Sequence, residues 1–400
     1  MKNRFSILLI FILIPRCSFS SVQKFATSTP HPSSPLSSPT NTLLPIPTIT
    51  FSPEPSLTPT FPPYTDKPFS LVFTRNGNLW IANIGERVTE RQLTFEPQEM
   101  RIVSFDVSPD ETRVAYIPYQ LEPLNSLVKL ADIATGDTRV VLGENEPFSE
   151  TRVVWLDNAT IAYKNQDHLV PTFTTERVNN VITYIIYDLS TERRIATTDF
   201  NSLSPSPDKS LWLGCSGNPY VMGCSRYTLQ DLVNSKQYKL EGKTELGGFI
   251  GWSSDSQSML FNTVTSPDIC MSQLIMVDVK TLEQKAITSE DENVWDASFS
   301  PTGNLLFYRQ AEIAELGLCK SGKVDYWILD LDNQQTYEIP ADCQKDVWDF
   351  DWTPDGKRLL FFHDSYSGYE NELWSMNLDG SDLEPLLSNV EEFEVLQSIP

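Results

Sequence analysis

The sequence predicts an all-β fold, a seven-bladed β-propeller of four-stranded antiparallel blades over residues 65–400, closed by the C-terminal strand joining the N-terminal blade. Three observations predict it: a turn motif that recurs about every fifty residues, the same division into strands after each copy, and two complementary fragments at the ends of the region.

The turn is plainest in Phe105-Asp106-Val107-Ser108-Pro109-Asp110, Ser298-Phe299-Ser300-Pro301-Thr302-Gly303 and Asp351-Trp352-Thr353-Pro354-Asp355-Gly356. Looser copies stand at Trp155-Leu156-Asp157-Asn158, Ser206-Pro207-Asp208 and Trp252-Ser253-Ser254-Asp255. Proline suits such a turn because it presets one backbone angle and donates nothing to a ladder. A short apolar strand follows each copy, as in Val114 to Ile117, Met259 to Phe261, Leu305 to Tyr308 and Arg358 to Phe362. After a variable loop comes a second strand, such as Tyr184 to Asp188, Gln273 to Asp278, Tyr326 to Asp330 or Glu372 to Asn377. Polar turns such as Ala134-Thr135-Gly136-Asp137 and Leu378-Asp379-Gly380-Ser381 lead to a last strand. With the strand before the motif, each unit holds four strands, rich in the β-branched and aromatic residues that pack between neighbouring sheets.

The ends set the number of blades. Ahead of the first full repeat are three strands, Phe69 to Phe73, Asn78 to Ala82 and Arg91 to Phe95; after the last comes a lone strand, Glu392 to Gln397. Pro400 lies about one period beyond Pro354, where the motif would recur, and Thr65-Asp66-Lys67 opens the first blade. Six full repeats and one blade shared between the ends make seven, and the shared blade removes a free sheet edge.

The motif together with Leu373-Trp374-Ser375-Met376-Asn377-Leu378-Asp379-Gly380-Ser381 resembles the WD40-like repeat of TolB-type propellers. The resemblance runs along the whole repeat region and implies a fold rather than a task, since such rings serve many functions. TolB-type proteins carry an α/β domain before a six-bladed ring, whereas this sequence has a proline-rich segment there and seven blades, so a role in the Tol system is not implied. Similar propellers also precede α/β-hydrolase domains in prolyl-oligopeptidase-like enzymes, a domain for which no residues remain in this sequence.

Residues 1–20 read as an export signal: Lys2 and Arg4 precede an apolar run from Ile7 to Ile14, too short to span a bilayer. Ile14-Pro15-Arg16-Cys17 resembles a bacterial lipobox, with Cys17 as the acylated cysteine, although Pro15 and Arg16 stand where small residues are usual. Cleavage after Ser18-Phe19-Ser20 is the competing expectation. Residues 21–64 hold eleven prolines among Ser and Thr and are expected to be a disordered, extended stalk. The expected location is therefore the cell surface or periplasm, with attachment to membrane only through the N-terminal lipid or an uncleaved signal.

The chain has 400 residues, of which 40% are hydrophobic, enough for a substantial core. Its formal charge of -23 argues against nucleic acid, whose phosphates a binder must neutralise. The propeller contains His168 and His363 alone, and there is no G-x-S-x-G, no H-E-x-x-H and no Gly-rich phosphate loop. No catalytic residue, metal ligand or cofactor is assigned. Asp106, Asp296, Asp349 and Asp351 are expected on innermost strands, where they line the central channel. Such carboxylates meet the simple need for a polar channel wall. They also leave open Ca²⁺ binding or the acid and base of a hydrolase or lyase.

Cys215, Cys224, Cys270, Cys319 and Cys343 fall in connections that share one face of a propeller. With no C-x-x-C pair in an exported chain, disulfides are expected, first Cys215 with Cys224, then Cys319 with Cys343. The same face carries the longest loops, and on them Tyr220, Met222, Tyr366, Tyr369 and Phe173. Variable loops on a rigid ring are where binding resides. The expectation is a monomeric, non-catalytic propeller binding protein or glycan through that face, with an enzyme acting at the channel mouth as the alternative.

Overall fold

The computed structural model describes residues 68–397, apart from 121–124, 143–151, 167–181, 199, 201, 217–223, 225, 232–235, 241–245, 267–270, 314–318, 340–346 and 365–370. Among the described residues there is no helix, and the strands form seven antiparallel sheets, each built on a four-strand path. Blade 1 combines Phe69–Arg75, Asn78–Ile84 and Thr89–Gln92 with Glu392–Val395 from the other end of the chain. Blades 2 to 7 begin with Arg101–Val107, Val153–Asp157, Ser202–Pro205, Gly248–Trp252, Val294–Phe299 and Val347–Trp352. These first strands approach one another around the centre of the ring, so they are the inner strands. Blade 2 carries one additional short strand, Asn125–Ser126, paired to its second strand.

There is no single core. The buried apolar residues fall into seven clusters, one at each contact between neighbouring blades. Successive side chains of a strand point to opposite faces, so every second strand feeds two of these clusters. Leu359 and Phe361 of blade 7 pack against blade 6, and Leu360 and Phe362 pack against blade 1. Full burial of each such side chain contributes on the order of 2 kcal/mol. This explains the near-continuous apolar runs in the second strands, which an alternating, half-solvated sheet does not require.

The recurring motif is held by one bonding pattern. The hydroxyl of Ser108, Ser206, Ser253, Ser300 or Thr353 accepts the backbone N–H five residues on, at 2.8–3.2 Å. In four copies it also donates to the Asp two residues on, namely Asp110, Asp208, Asp255 and Asp355. The next position lies in the left-handed region in all five: Glu111, Lys209, Ser256, Gly303 and Gly356 have φ of 53°, 60°, 59°, 80° and 66°. Glycine serves two of them without strain. Turns of adjacent blades are stitched by Asp110 N–H to Asn158 Oδ1 and Asp208 N–H to Ser256 Oγ, both at 3.0 Å.

The closing strand pairs Leu71 with Val395, Val72 with Glu394, Phe73 with Phe393 and Thr74 with Glu392. Its flanks add Glu391 N–H to Thr74 O and Leu396 N–H to Ser70 O at 3.0 and 2.9 Å. Phe393 and Val395 then face blade 7, and Leu396 faces blade 2. Two expectations are adjusted here. The ladder of the third blade 1 strand stops at Gln92 instead of continuing to Phe95, because the N–H groups of Leu93 and Thr94 both turn onto the carbonyl of Leu79. The closing strand ends at Val395, two residues before the expected Gln397.

Because the strand completes both interfaces of blade 1, removal of residues 392–400 exposes Leu71 and Phe73 and opens the ring. The truncated protein is expected to lose its cooperative thermal transition; a transition unchanged from that of the full chain contradicts the closure.

Candidate functional site

The inner edge of each blade has no strand beyond it, so its backbone N–H groups need other acceptors. In blades 2 and 3 side chains of the preceding blade supply them, whereas in blade 7 the N–H of Trp352 donates to Asp351 of its own blade at 2.8 Å. Glu394 of blade 1 accepts from Val107 N–H of blade 2 at 3.0 Å, and Asp106 of blade 2 accepts from Trp155 N–H of blade 3 through a short contact. Ser104 accepts from Val153 N–H at 3.2 Å, and the Trp155 indole donates to Asp106 O at 2.9 Å. Trp352 of blade 7 does the same toward Ser298 O of blade 6, at 3.2 Å.

These bonds define one level of the channel. Glu394 stands to Val107 as Asp106 stands to Trp155, and on the repeated motif Asp351 is the blade 7 counterpart of Asp106. The other blades have Val154, Ser204, Gly251 and Ser298 at this level. Three adjacent blades, 7, 1 and 2, therefore carry carboxylates. Their side chains touch solvent only in part, deep within the ring. Burial pushes the Asp106 carboxyl up to about 6, against the Trp155 N–H bond and the positive charges of Lys209 and Arg152. Glu394 is raised well above its ordinary value, first by burial and then by the charge of Asp106, while Val107 N–H and Lys209 act in the other direction and Asp351 adds to the rise.

Asp296 is not part of this level. It is exposed on the inner strand of blade 6, in an ion pair with Arg309 of the adjacent strand. Asp349 lies on the inner strand of blade 7, and its side chain is outside the described residues. Among the described residues no three His, Cys, Asp or Glu side chains converge closely enough to hold a metal ion. His363 lies in Arg358–Asp364, paired with Val347 and Glu372.

Sequence reasoning missed Glu394, Lys209 and Arg152. Counting back from Pro400 puts Gln397 at the ring position that Glu394 takes, and only the alternation of Phe393, Val395 and the polar residue between them could have corrected it. Lys209 was legible as the fourth residue of the blade 4 motif.

Strand direction gives the ring two different faces. The recurring turns and the links between third and fourth strands share one; the loops between second and third strands and between blades share the other. Pro68 precedes a strand whose start is paired beside Val395, so the chain enters on the tight-turn face. On the loop face the second and third strands of blades 5 and 6 are long, Ser258–Ser266 with Met271–Asp278 and Leu305–Ile313 with Cys319–Asp330. Blade 1 turns there through Asn76 and Gly77 alone. The expected disulfide between Cys215 and Cys224 is present on this face, with Cα atoms 5.6 Å apart. Cys319 starts a strand of blade 6; its side chain and Cys17, Cys270 and Cys343 lie outside the described residues, as do Tyr220, Met222, Tyr366, Tyr369 and Phe173.

No family model matches the sequence, and no curated protein matches it. Solved structures do share the fold. A prolyl endopeptidase is 12% identical with a TM-score of 0.59, over 81% of this chain and 50% of that one. An oligogalacturonate lyase from Vibrio parahaemolyticus is 15% identical with a TM-score of 0.56, over 75% of this chain and 83% of that one. TolB from Acinetobacter baumannii is 14% identical with a TM-score of 0.44, over 82% and 65%. The chain spans half the length of the endopeptidase and 65% of the TolB chain. What it shares with the endopeptidase and the lyase is the β-propeller fold.

A folded-state carboxyl near 6 binds its proton more tightly than the unfolded chain does, so its ionisation costs stability as pH rises from about 4 to about 6, and the cost is complete above about 7. Asp106→Asn keeps an acceptor for Trp155 N–H and removes that cost. The variant is expected to be more stable than wild type by about 1–3 kcal/mol at about pH 8 and equal to it at about pH 4, as measured by denaturant melts at both values.

Proposed function

We propose that this chain is an exported propeller, tethered to a membrane through Cys17, that binds a protein or glycan on its loop face and performs no catalysis. The observation that carries the reading is the use made of the deep carboxylates. Glu394 and Asp106 are bonded to the backbone of neighbouring blades, where they complete the ring. The aromatic and soft apolar residues typical of binding surfaces, Tyr220, Met222, Tyr366 and Tyr369, lie in sequence between the second and third strands of blades 4 and 7, outside the described residues. A domain held at its tight-turn face presents its loop face outward. The Cys215–Cys224 disulfide supports an oxidising compartment.

A second reading, a hydrolase or lyase at the channel, is favoured by the raised carboxyl of Asp106, a value suited to a general acid. Two variants separate the readings, each checked for a melting temperature no lower than that of wild type. Alanine at Tyr220, Met222, Tyr366 and Tyr369 is expected to weaken capture of immobilised surface glycans or envelope proteins by roughly tenfold or more. Asp106→Asn, which keeps an acceptor for Trp155 N–H, is expected to leave capture intact. Turnover of a glycan substrate that disappears in the second variant supports the enzyme instead.

Tethering has its own test. Mass spectrometry of the mature protein from its native membrane is expected to show a diacylglyceryl-modified Cys17 as the first residue; a mature chain starting at Ser21 overturns the lipid anchor.

A further inference from the structure

The closing strand is attached unequally on its two sides. Toward blade 7 it has the ladder to Phe69–Arg75 and the apolar contacts of Phe393 and Val395. Toward blade 2 it has three attachments. Leu396 packs into the apolar contact, Glu394 Oε2 accepts from Val107 N–H at 3.0 Å, and Gln397 N–H donates to Glu111 Oε1 at 2.6 Å. Two of the three pass through carboxylates. A further carboxylate, Asp106, stands one residue from Val107 on the strand that Glu394 grips.

The charged groups facing Glu394 come from three blades: Asp106 of blade 2 and Asp351 of blade 7 are like in sign, and Lys209 in the blade 4 turn is opposite. Asp106 in turn faces Lys209 and Arg152. With every carboxyl ionised, Glu394 has two negative neighbours and one positive one, in a place where little water screens them. A protonated carboxyl keeps its carbonyl oxygen as an acceptor, so the bond from Val107 N–H survives protonation, while the repulsion does not.

We propose that the joint between the closing strand and blade 2 is an acid-tightened latch: protonation of Glu394 seats the strand on blade 2, and ionisation of both Glu394 and Asp106 loosens it. The ladder to blade 1 holds the strand while this joint opens, so the change is local and leaves the other blades intact. Both carboxyls hold their protons more tightly than free side chains do, and Asp106 gives up its proton at a pH of about 6, so the doubly ionised state lies above that pH. Lys209 limits the loosening at higher pH by offsetting one of the two charges.

The test is hydrogen–deuterium exchange on the full chain between about pH 5 and about pH 8, with each peptide's rate normalised to the same peptide in the unfolded chain. Protection of Val107 and Gln397, whose N–H groups make the two hydrogen bonds of the joint, is expected to fall by roughly tenfold or more across that interval, while protection of Arg358–Asp364 in blade 7 stays constant. In Glu394→Gln the dependence is expected to vanish, with acid-level protection retained at about pH 8. Protection of Val107 and Gln397 that is independent of pH overturns the proposal, and so does the same dependence in Glu394→Gln. If that variant does not fold, Asp106→Asn takes its place: removing the repelling neighbour must shrink the dependence, and an unchanged one overturns the latch.

Discussion

Four residue pairs between Glu392–Val395 and Phe69–Arg75 join the two ends of a ring whose blades bury both of their faces. A sheet of this kind has no solvated side to fall back on. If one joint opens, the two faces beside it are exposed together, and the apolar runs that make the strands good packing partners become a liability. Closure is therefore the constraint on which the rest depends: strand composition, the two-sided alternation within each strand, and the placement of both chain ends in one blade all follow from it.

The same constraint explains the polar chemistry of the centre. An inner strand is paired on one edge and must find acceptors for the N–H groups of the other. In blades 2 and 3 the acceptors are side chains of the preceding blade, Glu394, Asp106 and Ser104, reaching Val107, Trp155 and Val153. A carboxylate is a strong acceptor, and at a depth where water is scarce it also carries an electrostatic cost. That the three carboxylates of this level occur on adjacent blades concentrates the cost at the joint where Glu392–Val395 meets Phe69–Arg75.

The fold was legible because it is repeated. Each copy of the turn reports the strands before and after it, and a copy as degraded as Trp155-Leu156-Asp157-Asn158 is still placed by its neighbours. The Cys215–Cys224 bridge was legible because its two cysteines are close in sequence and flank one loop. Less of the candidate site could be read. Asp106 and Asp351 stand inside good copies of the motif, and both fall on inner strands as expected. Glu394 has no copy of the motif around it, and a period that wavers by several residues cannot locate a single side chain. Its contact with Val107 joins residues almost three hundred positions apart, which no local pattern reports. Asp296 shows the converse: the pattern placed it on an inner strand, but Arg309 on the facing strand decides what its charge does.

The position of Phe69–Arg75 has a mechanical meaning. This strand is antiparallel to both of its neighbours, Asn78–Ile84 on one side and Glu392–Val395 on the other. A pull transmitted through Pro68 acts along the strand, so the bonds of both ladders share the load at once instead of parting one after another. Tension that enters the domain at Pro68 is thus met by two ladders loaded in shear.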